Sequence, residues 1–158
     1  MTSVESNIEV IRGHHALLNR GDVGAAAANY AEDCRNHGFP VGRQRVEAVL
    51  QDIHATFPDV NVEILDVVGV DDDVVIRAKV SGTHRGVGRL PVNGALLVGV
   101  PPTGKSFVVQ YIHWYRMKDG QIIDHRANRD DLGMLQQLGI VPGLEARLDL
   151  LPEANARS

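Results

Sequence analysis

Two sets of residues in this chain are of types that do chemistry. The first is G-V-P-P-T-G-K-S at 99–106, which fits the phosphate-cradling pattern G-x-x-x-x-G-K-[ST] letter for letter. The second is a run of histidines, with His113 and His125 on neighbouring strand-like segments and His37 and His84 further upstream. A phosphate loop needs inward-pointing backbone N–H groups and a helix that begins at the lysine. Pro101 and Pro102 have no N–H to give, and the residues after Ser106, F-V-V-Q-Y-I-H-W-Y-R, read as a strand. The stretch therefore predicts a tight turn between strands at about 94–100 and 105–117, and no nucleotide partner.

The histidines point to proton transfer. An imidazole that titrates near neutral pH moves a proton to or from a carbonyl-stabilised carbanion without a metal. No H-E-x-x-H motif or cysteine cluster marks a zinc site, and no G-x-S-x-G elbow marks a hydrolase nucleophile. Neither a metal nor a cofactor is expected.

The turn Lys118-Asp119-Gly120 decides what faces His113. A three-residue loop pairs Met117 with Gln121 and sets His113 opposite His125 and Tyr111 opposite Ala127. A two-residue Asp-Gly loop instead sets Arg126 opposite His113 and Asn128 opposite Tyr111. The first is preferred because it keeps Asp124 and Arg126 off an aromatic face.

The elements that must position these groups follow from periodicity. Val4, Ile8, Ile11, His15 and Leu18 recur at helical spacing, with Thr2 and Glu5 as a capping box, and Gly21 ends that helix. Asp22 caps a short alanine-rich helix running to about Tyr30. Val46, Val49, Leu50, Ile53 and Phe57 stripe a third helix that stops at Pro58. Strands follow at 60–70, 74–84 and 121–128, and Asp130 or Asp131 opens a closing helix ended by Gly139. Helices first and strands second predict an α+β domain over 1–140, a cone of mostly antiparallel sheet curled around the helices, with a tail at 141–158. The interior of such a cone suits a small hydrophobic molecule.

Composition agrees with one soluble domain: 158 residues, 44% apolar, net charge −4. The sixteen Lys and Arg are scattered, so no nucleic-acid surface is expected. No apolar run is long enough to span a bilayer and no basic, apolar leader opens the chain. The lone Cys34 fits a reducing cytoplasm and reads as a buried, inert thiol.

The pieces H-A-L-L-N-R-G-D (15–22), A-E-D-C-R-N-H-G (31–38), A-T-F-P-D-V (55–60), S-G-T-H-R-G (81–86), G-V-P-P-T-G-K (99–105), H-W-Y-R-M-K-D-G-Q-I (113–122) and D-D-L-G-M-L-Q-Q-L-G (130–139) occur in family order. Through them the chain resembles the SnoaL-like polyketide cyclases, within the superfamily of cone-shaped folds typified by nuclear transport factor 2. That resemblance implies a cofactor-independent ring closure or isomerisation of a small carbonyl compound inside the cone, of the kind found in bacterial secondary metabolism, and a homodimer through the outer sheet face. It implies His113 as the acid–base group, and it puts the family's usual aspartate at Ala127, which carries no proton.

His125 is the preferred substitute partner for His113. Tyr30, His37, His84, Tyr111, Trp114 and Asn128 are candidates for the wall of the cavity. His14, His15 and His54 receive no role. Because of Ala127, a binding protein of the same fold without chemistry is the alternative.

Overall fold

The computed structural model describes residues 3–90 and 97–142. Four helices pack within a six-stranded sheet of order β2-β1-β6-β5-β4-β3. The 141–158 tail lies almost wholly outside the described residues, as does Thr2.

Helix α1 (Val4–Asn19) is capped by Ser3, whose hydroxyl accepts the Ser6 N–H at 3.1 Å. Its buried stripe is wider than the one read from apolar residues: Asn7, Ile11, His14, His15 and Leu18 all face inward. Gly21, at φ +77°, turns the chain so that Asp22 caps the five-residue α2 (Val23–Ala27). The residues 30–36, read as helix end and loop, form strand β1 (Tyr30–Asn36). Y-A-E-D-C-R-N has no β-branched residue, so the strand comes from pairing with the last strand rather than from local propensity. The short β2 (Phe39–Pro40) closes its hairpin.

Helix α3 (Arg43–Thr56) follows Gly42 and ends before Pro58. The sheet then runs antiparallel through β3 (Asn61–Val70), β4 (Asp73–Thr83), β5 (Ser106–Lys118) and β6 (Gln121–Arg129). Along β5 the period-two pattern is clean. Phe107, Val109, Tyr111, Tyr115 and Met117 are buried, while Val108, Ile112 and Trp114 are about half exposed on the other face. Asp130 caps α4 (Asp131–Gln137), its carboxylate accepting the Gly133 N–H at 2.8 Å.

Between β4 and β5 the structure departs from the expected strand pair. Residues 91–96 lie outside the described residues, and 97–105 form a loop with Gly99 and Gly104 at positive φ. Val98 makes one isolated bridge to Gly88. The chain after Lys105 enters β5 directly, so no helix begins at the lysine. His84 anchors this loop: its backbone N–H donates to Lys105 O, and its carbonyl accepts from Gly104 N, both at 2.9 Å. Among the described residues no helix is long and apolar enough to cross a membrane.

Candidate functional site

The hairpin register between β5 and β6 builds the site, and it is neither of the two registers read from the sequence. Asp119 and Gly120 both adopt positive φ, +50° and +77°, so the loop has two residues and pairs Lys118 with Gln121. A bulge then intervenes: Met117 pairs with Ile122 but Arg116 with Asp124, and Ile123 is skipped. His113 consequently lies opposite Ala127 and Tyr111 opposite Arg129. The bulge flips every later residue of β6 to the other face. His125, Ala127 and Arg129 turn inward, and Arg126 and Asn128 turn out. Without it the ladder would aim Asp124 and Arg126 at the aromatic interior.

The inward face of this hairpin floors a cavity of about 530 Å³ between the sheet and helices α1 and α3. That volume suits a small organic ligand. Most of its wall is apolar, with Val46, Val49, Leu50 and Ile53 of α3 facing Val80 and Phe107 of the sheet. Its polar groups are His14, His15, His37, His54, His113 and His125, together with Tyr30, Tyr111 and Tyr115, Asn19 and Asn36, and three arginines.

At the centre, His113 Nδ1 and His125 Nε2 are 2.9 Å apart, so one ring donates a proton to the other. Either tautomeric arrangement satisfies the contact. The two rings stack with centroids 5.2 Å apart, and Tyr115 stacks on His125 at 4.8 Å. The Tyr115 hydroxyl lies 2.9 Å from His15 Nε2. His14 Nδ1 donates to the Ala26 carbonyl at 3.0 Å, which fixes its proton on Nδ1. The Nε2 of His113 and the Nδ1 of His15 have no hydrogen-bond partner among the described residues.

Burial is the largest influence on these rings, and it favours the neutral imidazole. It lowers His14 from its ordinary value to about 4 against the opposing effect of the Ala26 carbonyl, and His125 to about 3. His15 and His113 also fall well below the ordinary histidine range, each further lowered by its neighbours in the cluster. Arg129 adds its positive charge to the pressure on His113 and His125. Burial likewise pushes the phenols of Tyr30, Tyr111 and Tyr115 up, keeping them as donors. No Asp or Glu lines the cavity among the described residues, and Ala127 leaves the position opposite His113 without one. Nor does any group of three or more His, Cys, Asp or Glu among those residues suit a metal ion.

Of the residues expected in the wall, Tyr30, His37 and Tyr111 line the cavity along with His113 and His125. His37 stands at the mouth beside Phe39, its Nε2 accepting the Ala127 N–H at 3.3 Å. Three do not line it. Trp114 and Asn128 occupy the outward-facing, even-numbered positions of their strands, Trp114 with half its surface exposed. His84 is fully buried behind Phe57, where its Nδ1 accepts the Thr103 N–H at 3.3 Å and holds the 97–105 loop.

Groups that the sequence reading left without a role also belong to the wall, among them His14, His15, His54, Tyr115, Arg35, Arg45 and Arg129. His15 already stood in the helical stripe with Ile11 and Leu18. Arg129 follows from counting two more residues along the face that holds Ala127.

Cys34 is buried and its thiol pushed up, mainly by that burial.

Comparison with known proteins places the arrangement in context. The pattern of the family described as SnoaL-like polyketide cyclase matches residues 8–138. The chain is 44% identical over 64 residues to the aklanonic acid methyl ester cyclase of Streptomyces peucetius, covering 40% of this chain and 39% of that relative. It is 32% identical over 103 residues to the nogalonic acid methyl ester cyclase of Streptomyces nogalater, covering 65% of this chain and 71% of that one. Among solved structures, IdmH from Streptomyces antibioticus superposes with a TM-score of 0.68 at 30% identity, over 84% of this chain and 98% of that one.

Proposed function

Because this chain belongs to the SnoaL-like polyketide cyclase family, we propose that it closes a ring, or isomerises, a polyketide-like carbonyl compound held in the cone, with the His113–His125 pair as its acid–base group. The observation that carries this reading is the 2.9 Å contact between two neutral imidazoles in the wall of a largely apolar cavity.

The pair can cycle protons without a carboxylate. With His113 Nδ1–H donating to His125 Nε2, His113 Nε2 is left with a lone pair. Once a ligand shifts the ring and opens this buried nitrogen, the nitrogen takes a proton from a carbon next to a carbonyl, while the Nδ1 proton passes to His125 Nε2. The enolate carbon then attacks a second carbonyl of the same molecule. The resulting alkoxide takes the proton from His113 Nε2 as His125 returns its own to Nδ1. Net protonation is unchanged, and no oxidant or cofactor enters the balance.

The depressed basicity of the pair sets a condition. Charge on the dyad is tolerated only when an enolate lies beside it, so the carbon must already be acidic, as between two carbonyls. Tyr111, its ring tilted by 59° against His113 with centroids 5.9 Å apart, is a neutral donor for the oxygen on which charge builds.

The test is turnover of the methyl esters of aklanonic and nogalonic acid, and of the corresponding free acids, by the wild-type protein and by His113→Asn. Ring-closed product from the first and none from the second supports the reading. Equal product from both sinks it. The absence of a carboxylate opposite His113 favours a second reading, a binding protein without turnover; it predicts saturable binding and no product from either form.

A homodimer through the outer sheet face belongs to the same proposal. Val108, Ile112 and Trp114 expose 55%, 49% and 49% of their surface there. Sedimentation of the wild type and of Trp114→Glu tests it: the substitution should release monomer.

A further inference from the structure

The wall of the cavity carries fixed charge of one sign. Arg35, Arg45 and Arg129 line it, and no aspartate or glutamate does among the described residues. Elsewhere Arg12, Arg43, Arg77, Lys79, Arg116 and Arg126 each lie within ion-pair distance of a carboxylate, whereas Arg20, Arg85, Arg89, Lys105 and Lys118 have no such partner among the described residues. Arg35 and Arg45 have none among the described residues. They stand exposed towards the mouth, near His37 and the prominent Phe39, which is 72% exposed.

Arg129 lies deeper, on the face of β6 that holds His125. Its side chain is 27% exposed, and its one carboxylate neighbour, Asp131, is 3.5 Å away. That separation is too long for a strong charge-assisted bond, and the same Asp131 oxygen has no hydrogen-bond partner. Arg129 therefore keeps most of its donor capacity for something else. It lines the same cavity as both members of the histidine pair. A neutral ligand would leave Arg35 and Arg45 without an anion, and Arg129, the least exposed of the three, with only its 3.5 Å contact to Asp131.

We propose that the cavity selects a hydrophobic ligand with a free carboxylate, and discriminates against the neutral ester of the same acid, through the combined field of Arg35, Arg45 and Arg129. The inference rests on the reading that the cone interior is the ligand site, and it specifies the ligand's chemical class. The guanidinium fork matches a carboxylate with two parallel hydrogen bonds, and the apolar lining takes the hydrocarbon body.

The experiment is equilibrium binding of matched acid and methyl ester pairs at pH 7.5: anthracene-9-carboxylate, 2-naphthoate and dodecanoate, each against its ester. At least one acid should bind about tenfold or more tightly than its ester. Raising sodium chloride from about 50 mM to 500 mM should weaken the acid and leave the ester unchanged. In the triple variant Arg35→Gln, Arg45→Gln, Arg129→Gln the acid-to-ester ratio should fall to within about threefold of one, with the ester's Kd unchanged as the control for an intact cavity. Esters that bind as tightly as their acids throughout the series, no binding by any acid, or a preference that survives the triple substitution would each overturn the proposal. Binding is read without turnover. If His113→Asn abolishes no activity, the ratio is untouched, and if the ratio fails, the acid–base role of the pair still stands to its own test.

Discussion

His113 Nδ1 meets His125 Nε2 at 2.9 Å although the strand ladder pairs His113 with Ala127 and His125 with Tyr115. The contact is diagonal across the hairpin and exists because one residue, Ile123, is bulged out of the ladder. A backbone irregularity in β6 thus sets which side chain answers His113.

The first consequence is a pH profile unlike that of an ordinary histidine base. A general base works unprotonated, and burial holds His125 down to about 3 and His113 well below its usual range. Lowering the pH therefore leaves the pair active where a free imidazole would already be charged. The rate of solvent-deuterium exchange into an aryl β-keto ester, measured wherever the circular dichroism remains native, should be flat from about pH 8 to about pH 5.5. A midpoint between pH 6 and 7 would contradict the assignment.

The same burial makes acid the protein's weakness. Unfolded, His14 takes a proton near its ordinary value; folded, it does so only near about 4. Between those two values the unfolded chain binds the extra proton, so stability falls as pH drops through the window and is fully present above it. His14 alone accounts for about 3 kcal/mol, and His15, His113 and His125 act in the same direction. Urea unfolding at pH 7.5, 6.5, 5.5 and 4.5 should show a steep loss below pH 6.5, with a slope of more than one proton. His14→Asn should flatten it by about one proton. Stability that does not change from pH 7.5 to 4.5 would contradict the buried neutral cluster.

Tyr115→Phe removes the hydroxyl that meets His15 Nε2 while keeping the ring stacked on His125. A buried imidazole nitrogen is then left without a partner. The expected cost is about 1–2 kcal/mol in urea unfolding, with the far-ultraviolet spectrum unchanged. An unchanged midpoint would mean that this bond contributes nothing.

Much of this arrangement was legible in the residues, and what was not has specific causes. Alternation along β5 and the helical stripes of α1 and α3 announced the layers, because burial of one face dictates those periods. The strand expected after Ser106 is present as β5, so no helix begins at Lys105. The inward positions of His113 and His125 were anticipated with the wrong register. A two-residue loop plus one bulge gives the same parity as a three-residue loop, so the faces agree while each partner is displaced by two. Nothing local in I-I-D-H marks the bulge. Strand β1 was invisible because its pairing with β6 is non-local. Trp114 and Asn128 were placed in the wall by aromatic or polar character without their face, while His84, read as ending an apolar strand face, lies behind Phe57 and outside the cavity wall.

Ala127 provides a gain-of-function test. It lies opposite His113 on the inward face, where an aspartate side chain would approach both His113 and Arg129. Ala127→Asp should raise the His113 titration, followed by imidazole NMR, and increase exchange at pH 7 roughly tenfold. A titration unmoved by the substitution would mean that residue 127 does not address the imidazole.

The central claim is that His113 and His125 act as one acid–base unit, and a double-mutant cycle on the deuterium-exchange rate addresses it directly. If they are one unit, His113→Asn, His125→Asn and the double variant should lose rate to the same floor, since removing either member disables both. Losses that multiply, or exchange that survives in His113→Asn, would contradict it.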